Sequence, residues 1–141
     1  MGTQDKRWQE GSLPATASAQ RSEAGPKAQV VEIPCRILSY EMKQTLMALC
    51  RFAAPHEICG VINTQGHVLP QPNTAPDTRQ GFDMEVLVDP AEVLAVYHSH
   101  PNGRTDLSDS DVEGLLNLYQ HALTCRYLIV TPTDVTEYGI L

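Results

Sequence analysis

The pattern of apolar and polar positions along the chain changes near residue 29. Residues 1–28 are rich in Ser, Ala, Gln, Gly and Pro and contain one large aromatic, Trp8, without apolar periodicity. A segment of this composition buries too little apolar surface to offset the entropy lost on ordering it. The pattern therefore predicts a disordered N-terminal tail over residues 1–28 and one folded domain over residues 29–141.

Two helices are predicted in the domain, because apolar residues recur there at helical spacing. The first helix follows an N-cap at Ser39, runs to about Ala54 and is stopped by Pro55. Its buried face is predicted to hold Met42, Leu46, Leu49 and Ala53. The second helix begins at Ser108, and its apolar face is predicted to hold Val112, Leu115, Leu116 and Tyr119.

Short apolar runs bounded by turn residues predict the strands of a sheet. The predicted strands are Val30–Ile33, Arg36–Leu38, Ile58–Asn63, His67–Leu69, Phe82–Val88, Val93–Tyr97, Tyr127–Thr131 and Val135–Ile140. Gln65-Gly66 indicates a hairpin, and the Pro-rich stretch Leu69–Gly81 indicates a loop. Val93–Tyr97 is almost wholly apolar, which is typical of a central strand. Strands outnumber helices without alternating regularly with them, so the pattern indicates an α+β, three-layer mixed-sheet domain.

The charge balance bears on the class of partner. The chain has 17 acidic and 10 basic residues, for a formal net charge of -7. An acidic chain is not expected to have a nucleic-acid backbone or an anionic membrane as its main partner. No run approaches the roughly 18 consecutive apolar residues of a membrane span. The N-terminus also lacks the apolar segment of a secretory signal.

Residues suited to metal binding follow the predicted central strand. His98 and His100 are two positions apart on an extended segment, so their side chains point the same way. Two imidazoles can each reach a zinc ion at about 2.0–2.1 Å, and Asp111 from the first turn of the next helix would be a third ligand. The fourth position would stay open for water, and iron, cobalt or nickel would also suit these ligands.

A structural explanation exists for each of these residues taken alone. Ser108-x-x-Asp111 before an apolar-periodic helix is a capping box with Asp in place of the usual Glu. The two histidines could be polar residues at the mouth of a loop. The combination and its spacing favour a metal site over either explanation. Other candidate residues are not expected to be ligands: Asp106, Asp109, His56, His67 and His121.

The spacing His-x-His, seven residues, Ser-x-x-Asp resembles the signature of the JAMM/MPN metallopeptidases, and Pro101 fits its usual form. Glu57-Ile-Cys-Gly60-Val-Ile matches the glutamate element that lies upstream in that family. The resemblance covers roughly residues 36–141. It implies a cytidine-deaminase-like MPN fold, zinc as cofactor, Glu57 as general base and Ser108 as oxyanion donor. It also implies that Gly60 permits close packing beside the site.

Within that family, the stretch most resembles the short domains of bacteriophage tail-assembly proteins. The shared features are Glu-x-x-Cys-Gly, a Pro/Asn-rich loop, an aromatic near position 82 and Ala-Val-Tyr-His-Ser-His-Pro. This resemblance implies a hydrolase of an amide or isopeptide bond, with a tail protein or a peptidoglycan peptide as substrate. The resemblance places this protein in the host cytoplasm during assembly or in the virion tail. A separate cysteine peptidase is a candidate partner. The alternatives are a non-catalytic MPN scaffold and a bacterial DNA-repair-associated JAMM protein.

Overall fold

The computed structural model describes residues 7–8, 30–85, 89–120 and 126–140. The helices are α1 (Tyr40–Ala53) and α2 (Asp109–Gln120), and a 3-10 turn covers Pro90–Glu92. The strands are β1 (Arg7–Trp8), β2 (Val30–Ile33), β3 (Cys59–Asn63), β4 (Val68–Gln71), β5 (Met84–Glu85), β6 (Val93–Ser99), β7 (Arg126–Val130) and β8 (Val135–Ile140).

Six of these strands form one mixed sheet in the order β2-β8-β7-β6-β3-β4. β6 pairs antiparallel with β3 and parallel with β7, so it lies inside the sheet as predicted. Parallel neighbours need a crossover connection, and α2 lies in the segment between β6 and β7. The remaining two strands, β1 and β5, form a separate antiparallel pair.

The two faces of the sheet bury different helices, because successive side chains of β6 point to opposite faces. On one face α1 contributes to a core that includes Leu46, Met47, Cys50, Ile62, Ala95, Tyr97 and Leu128. On the other face α2 and the segment before β5 contribute to a core that includes Phe82, Met84, Val96, Leu115, Tyr127 and Ile129. The α+β, three-layer prediction is confirmed, with the sheet between the two helices.

Helix α1 follows from its local sequence. The Ser39 side chain accepts a hydrogen bond from Met42 N at 3.1 Å, which satisfies one of the free amides of the first turn. The helix ends at Ala53 with Ala54 as C-cap, just before Pro55. Its buried residues are Leu46, Met47 and Cys50, so the buried face is rotated slightly from the predicted one. Neither described helix has the length and apolarity that crossing a membrane would require.

The hairpin prediction is also confirmed, with β3 and β4 joined at a turn in which Gly66 has a φ of 85°. β4 continues to Gln71, two residues further than predicted, and the long loop starts at Pro72. Pro70 lies within β4, which is an edge strand of the sheet, and edge strands are where proline is found in sheets.

Three other predicted segments differ from the structure. The predicted strand Arg36–Leu38 is wrong, since β2 ends before Pro34 and the chain bends at Ile37 and Leu38 to reach the α1 N-cap. Only Met84–Glu85 of the predicted strand Phe82–Val88 is observed, and residues 86–88 lie outside the described part. Of the predicted tail, Arg7–Trp8 pairs with Met84–Glu85, and the rest of residues 1–28 lies outside the described residues.

Candidate metal centre

Strand β6 positions both histidines of the site. His98 is the penultimate residue of β6, and His100 directly follows its end. Ser99 between them points the other way, where its Oγ accepts a hydrogen bond from Ile58 N at 2.8 Å. Ser99 N also donates to Ile58 O at 2.9 Å, which continues the pairing of the two strands past Cys59.

The register of β3 and β6 brings Glu57 to the same place. Cys59 pairs with His98 in this antiparallel ladder. Two residues further along, Glu57 is therefore opposite His100, and opposite residues of an antiparallel pair share a face. The glutamate and the histidine pair, far apart in the sequence, consequently meet at one end of the sheet.

Asp111 reaches the histidines from the first turn of α2. Ser108 N donates to Asp111 Oδ2 at 3.0 Å, and Asp111 N donates to Ser108 Oγ at 3.0 Å, so the predicted capping box is confirmed. The same carboxylate lies 3.1 Å from His98 Nε2 through Oδ1 and 3.2 Å from His100 Nε2 through Oδ2. A carboxylate has lone pairs for both contacts, so capping and metal binding are compatible.

The three side chains fit a single metal ion. The Nε2 atoms of His98 and His100 are 3.2 Å apart, close to the Asp111 distances. Ligand atoms about 2.0–2.1 Å from a tetrahedral ion lie roughly 3.3 Å from one another. Among the described residues, these three form the one group of three or more His, Cys, Asp or Glu that could hold a metal ion.

The rings of the two histidines are held by different means. His100 Nδ1 lies 2.9 Å from Arg104 O, and donation to this carbonyl leaves the Nε2 lone pair of the neutral ring facing the cluster. The fully buried His98 ring stacks on Phe82 with centroids 4.3 Å apart, and its edge meets Tyr127 at 5.8 Å. Both imidazoles therefore have restricted orientations before any ion binds.

The electrostatics of the cluster favour an ionised carboxylate. Burial alone would raise the pKa of Asp111, but the charge of His98 and the hydrogen bonds from the two histidines hold it well below its usual range. Burial lowers the pKa of His100, and Asp111 reverses the effect, so that the net shift is upward. A carboxylate that stays ionised at neutral pH is available as a ligand.

Glu57 is half-buried in the wall of a cavity of about 300 Å³ that His100, Ser108 and Asp111 also line. Burial raises the pKa of the Glu57 carboxyl, and the charges of His98 and His100 partly oppose the shift. A carboxylate with a raised pKa is a stronger base than an exposed glutamate.

The backbone of Glu57 is anchored to the loop that follows β4. Glu57 N donates to Thr78 O at 2.7 Å, and Asn73 Nδ2 donates to Glu57 O at 2.9 Å. Asn73 Nδ2 also donates to Gly81 O, and its Oδ1 accepts from Ala75 N and Asp83 N. Asn73 thus ties both ends of the loop to Glu57. In the sequence, the only signal of this role is the Pro/Asn-rich composition of the loop.

The other sequence candidates do not belong to the three-ligand group, although Asp106 lines the same cavity. His56 Nδ1 is 2.6 Å from Thr78 Oγ1, and His67 is exposed. Asp106 is exposed and paired with Arg104, and Asp109 is exposed on α2. His121 lies outside the described residues. The structure therefore brings together the five residues that the sequence predicts for the site, namely His98, His100, Asp111, Glu57 and Ser108.

A family model of prokaryotic homologues of the JAB domain matches residues 39–138. This chain belongs to that family. The matched range runs from the α1 N-cap into β8 and contains every residue of the cluster. The JAB assignment confirms the JAMM/MPN resemblance at the level of the family, which includes metallopeptidases. No curated protein matches this JAB domain.

Proposed function

We propose that this JAB domain is a zinc-dependent hydrolase of an amide or isopeptide bond. The proposal rests on the convergence of His98, His100 and Asp111 at 3.1–3.2 Å, and on the cavity that His100 and Asp111 line together with Glu57. Two imidazoles and one carboxylate are a ligand set of catalytic zinc sites that keep one position open.

In this proposal His98, His100 and Asp111 hold the ion. When bound, zinc supplies a Lewis acid that polarises the scissile carbonyl and acidifies the attacking water. Glu57 accepts the proton of that water and returns it to the leaving amine. Glu57 lines the same cavity as His100 and Asp111, which places its carboxyl group within the site for both steps.

Ser108 would stabilise the oxyanion that develops on the carbonyl. Its Oγ accepts the hydrogen bond from Asp111 N, and no hydrogen bond from its hydroxyl to another described residue competes with donation to a substrate. Ser108 is exposed and lines the cavity, so a substrate carbonyl can approach it. A donor placed where charge develops lowers the barrier of acyl transfer.

We further propose the phage or prophage tail-assembly role, with a tail protein or a peptidoglycan peptide as substrate. Support comes from the sequence features shared with those domains, which include Phe82, the aromatic side chain stacked on His98. The cavity of about 300 Å³ is small for gripping an arbitrary peptide. Positioning at the reacting centre then depends on a tether or partner, such as a separate cysteine peptidase.

Metal analysis of the purified protein is the decisive test. Wild type should retain about one zinc per chain after mild dialysis. His98→Ala should lose most of it, whereas His67→Ala, which removes an exposed histidine outside the cluster, should retain it. A wild-type protein that stays metal-free after incubation with excess zinc would overturn the proposal and leave a non-catalytic scaffold.

Activity assays address the substrate. The zinc-loaded chain should leave casein-like peptides nearly intact and should cleave a crosslinked cell-wall peptide or its cognate tail protein. Rapid, unselective cleavage of a generic peptide library would contradict the assembly-dependent role. It would support a free-standing peptidase in its place.

A further inference from the structure

The loop that follows His100 forms one wall of the cavity at the candidate metal centre. Asn102, Arg104 and Asp106 line this cavity together with His100 and Asp111. Among the described residues that line it, Arg104 is the one lysine or arginine. Because a guanidinium keeps its charge throughout the working pH range, Arg104 offers a permanent positive group to a negatively charged part of a substrate.

The backbone of Arg104 is fixed against one of the three candidate ligands. Arg104 O lies 2.9 Å from His100 Nδ1, and Arg104 N donates to Asn102 Oδ1 at 2.9 Å. Gly103 N donates to His100 O at 3.0 Å. Gly103 has a φ of 87°, a left-handed conformation that lets the chain turn back toward His100. The arginine therefore starts from a defined position beside the cluster.

The guanidinium of Arg104 is oriented by Asp106. Its Nε donates to Asp106 Oδ1 at 3.1 Å, and its Nη2 donates to Asp106 Oδ2 at 2.8 Å. The hydrogen bonds from Arg104 lower the pKa of the Asp106 carboxyl, and the charge of His100 also lowers it, so the pair lies within electrostatic reach of the cluster. The two side chains are 69% and 62% exposed, so a dissolved molecule can reach them.

This pairing leaves one edge of the guanidinium for a second carboxylate. The group is planar and has five N–H donors, and Asp106 takes the edge formed by Nε and Nη2. The edge formed by Nη1 and Nη2 has the same forked geometry, which matches the two oxygens of a carboxylate. An exposed ion pair contributes little to stability. The effect of Asp106 is thus to hold the guanidinium in one direction beside the site.

We propose that Arg104 selects substrates that have a free carboxylate next to the scissile bond. This inference rests on the proposed hydrolase function. The substrate carboxylate accepts hydrogen bonds from Nη1 and Nη2 of Arg104, which holds the neighbouring amide in the cavity that Glu57 lines. The carboxylate belongs to a chain terminus or to an acidic side chain. The substrate class is thus an acidic peptide that is cut beside its carboxylate, with Arg104 as a specificity residue.

Two matched pairs of probes, titrated into the full chain, test this role. Acetyl-alanyl-alanine has a terminal carboxylate, and its C-terminal amide lacks one. The C-terminal amide of acetyl-alanyl-glutamate has a side-chain carboxylate, and the glutamine analogue lacks one. Amide NMR spectra should show saturable shifts over residues 100–111.

In at least one pair the acid should bind about five- to tenfold more tightly than the uncharged probe, because it gains charge-assisted hydrogen bonds. The pair that shows this preference identifies the source of the carboxylate. Equal affinities within both pairs, or shifts confined to other regions, would overturn the proposal.

Arg104→Gln supplies the protein side of the comparison. It removes the charge and the fork, so the acid and the uncharged probe should bind equally. Arg79→Gln is the matched control, since Arg79 also donates to an aspartate two residues earlier, Asp77, at 3.3 Å, and is absent from the described lining of the cavity. Arg79→Gln should keep the full preference. Loss of the preference in both variants would indicate a general effect of net charge and overturn the role of Arg104.

The titrations are run on metal-free and zinc-loaded protein, because a carboxylate can also bind a zinc ion directly. A preference that appears only with zinc and survives Arg104→Gln would overturn the role of Arg104. A preference in the metal-free chain that Arg104→Gln removes supports this role even if the hydrolase proposal fails. Conversely, a zinc-loaded chain that hydrolyses acid and amide forms of a peptide with the same KM keeps the proposed function and loses the inference.

Discussion

The Glu57 carboxylate occupies a position that local structure alone would leave to solvent. Its side chain is half-buried at the cavity wall, and both backbone polar groups are bonded to the loop after β4. A surface carboxylate between a helix and a strand has no need of this support. The arrangement restricts the direction of the side chain, which a general base requires in order to reach the attacking water.

Replacing Glu57 by glutamine separates its role from that of the metal ligands. Glu57→Gln keeps the shape but cannot accept a proton, so kcat should fall by about 10²–10⁴ while zinc content is retained. Glu92→Gln makes the same change at an exposed position and should leave kcat unaltered. Turnover by Glu57→Gln at the wild-type rate would show that another group is the base.

Asn73 is the second residue whose side chain has an unusual number of hydrogen-bond partners. Its amide takes part in four hydrogen bonds with four different backbone groups. Asn73→Ala should lower the free energy of unfolding by about 2–4 kcal/mol, because it leaves several of these groups without partners. Urea denaturation measures this loss.

Asn102→Ala is the matched control for Asn73→Ala. The Asn102 side chain is exposed and accepts one hydrogen bond, from Arg104 N at 2.9 Å. Asn102→Ala should therefore lower the free energy of unfolding by less than Asn73→Ala does. Equal costs for the two variants would mean that the Asn73 amide does not hold the loop against β3.

At the scale of elements, the contact between β3 and β6 depends on a glycine in β3, Gly60, which has no side chain to keep the strands apart. A Cβ added at Gly60 would lie 2.6 Å from Tyr97 Oη and 2.7 Å from Leu69 O. Gly60 and Tyr97 are paired in the ladder, so the ring lies over the glycine. The close packing expected of Gly60 is therefore confirmed. It allows the strand that leads from Glu57 to lie beside the strand that leads to His98.

Gly60→Ala should destabilise the fold by about 1–3 kcal/mol through overpacking. Tyr97→Phe removes one clashing atom, and the Tyr97 hydroxyl is buried without a described hydrogen-bond partner. Tyr97→Phe alone should therefore cost little, and in the double variant it should recover part of the Gly60→Ala loss. Thermal unfolding of the two single variants and the double variant measures how much the stability effect of Gly60→Ala depends on the Tyr97 hydroxyl.

Gly81→Ala controls for the loss of glycine itself. A Cβ at Gly81 would meet no atom within 4 Å, so its effect on stability should stay within about 0.5 kcal/mol. If Gly60→Ala is as mild as Gly81→Ala, β3 and β6 can separate without strain. The glycine would then have no packing role.

At the scale of the whole molecule, the boundary between tail and domain stays a prediction. The sheet begins at β2, and the described part of residues 1–28 is limited to the strand Arg7–Trp8 paired with β5. Two residues of ladder contribute little against the entropy of ordering a segment without apolar periodicity. The domain should therefore be stable without them.

A chain that starts at residue 29 should melt at the same temperature as the full chain. A chain that starts at residue 7 keeps Arg7–Trp8 and is the matched control. Calorimetry of the full chain and of the two shortened chains compares their melting temperatures. A fall of several degrees only in the shorter chain would place Arg7–Trp8 in the folded domain and move the boundary.

Several features of the fold follow from local sequence. Ser39 and Pro55 bound α1, and the strand Val135–Ile140 has the predicted ends, because caps, prolines and periodicity act within a few residues. The common face of His98 and His100 follows from the alternation of an extended chain. The capping box of Ser108 and Asp111 is likewise a local property of the start of α2.

The sequence by itself therefore determined which residues can act in the candidate metal centre, and the tertiary structure decided how they meet. The position of Glu57 opposite His100 depends on the register of β3 against β6, and the stacking of Phe82 on His98 depends on the loop packing against the sheet. The burial of Asp83 and the hydrogen bond from Asn73 to Glu57 O also depend on how this loop packs. Strand register and loop packing are set by the burial of a whole face of the sheet. Such contacts join segments that are distant in the sequence, so they produce no periodic pattern of apolar residues from which they could be predicted.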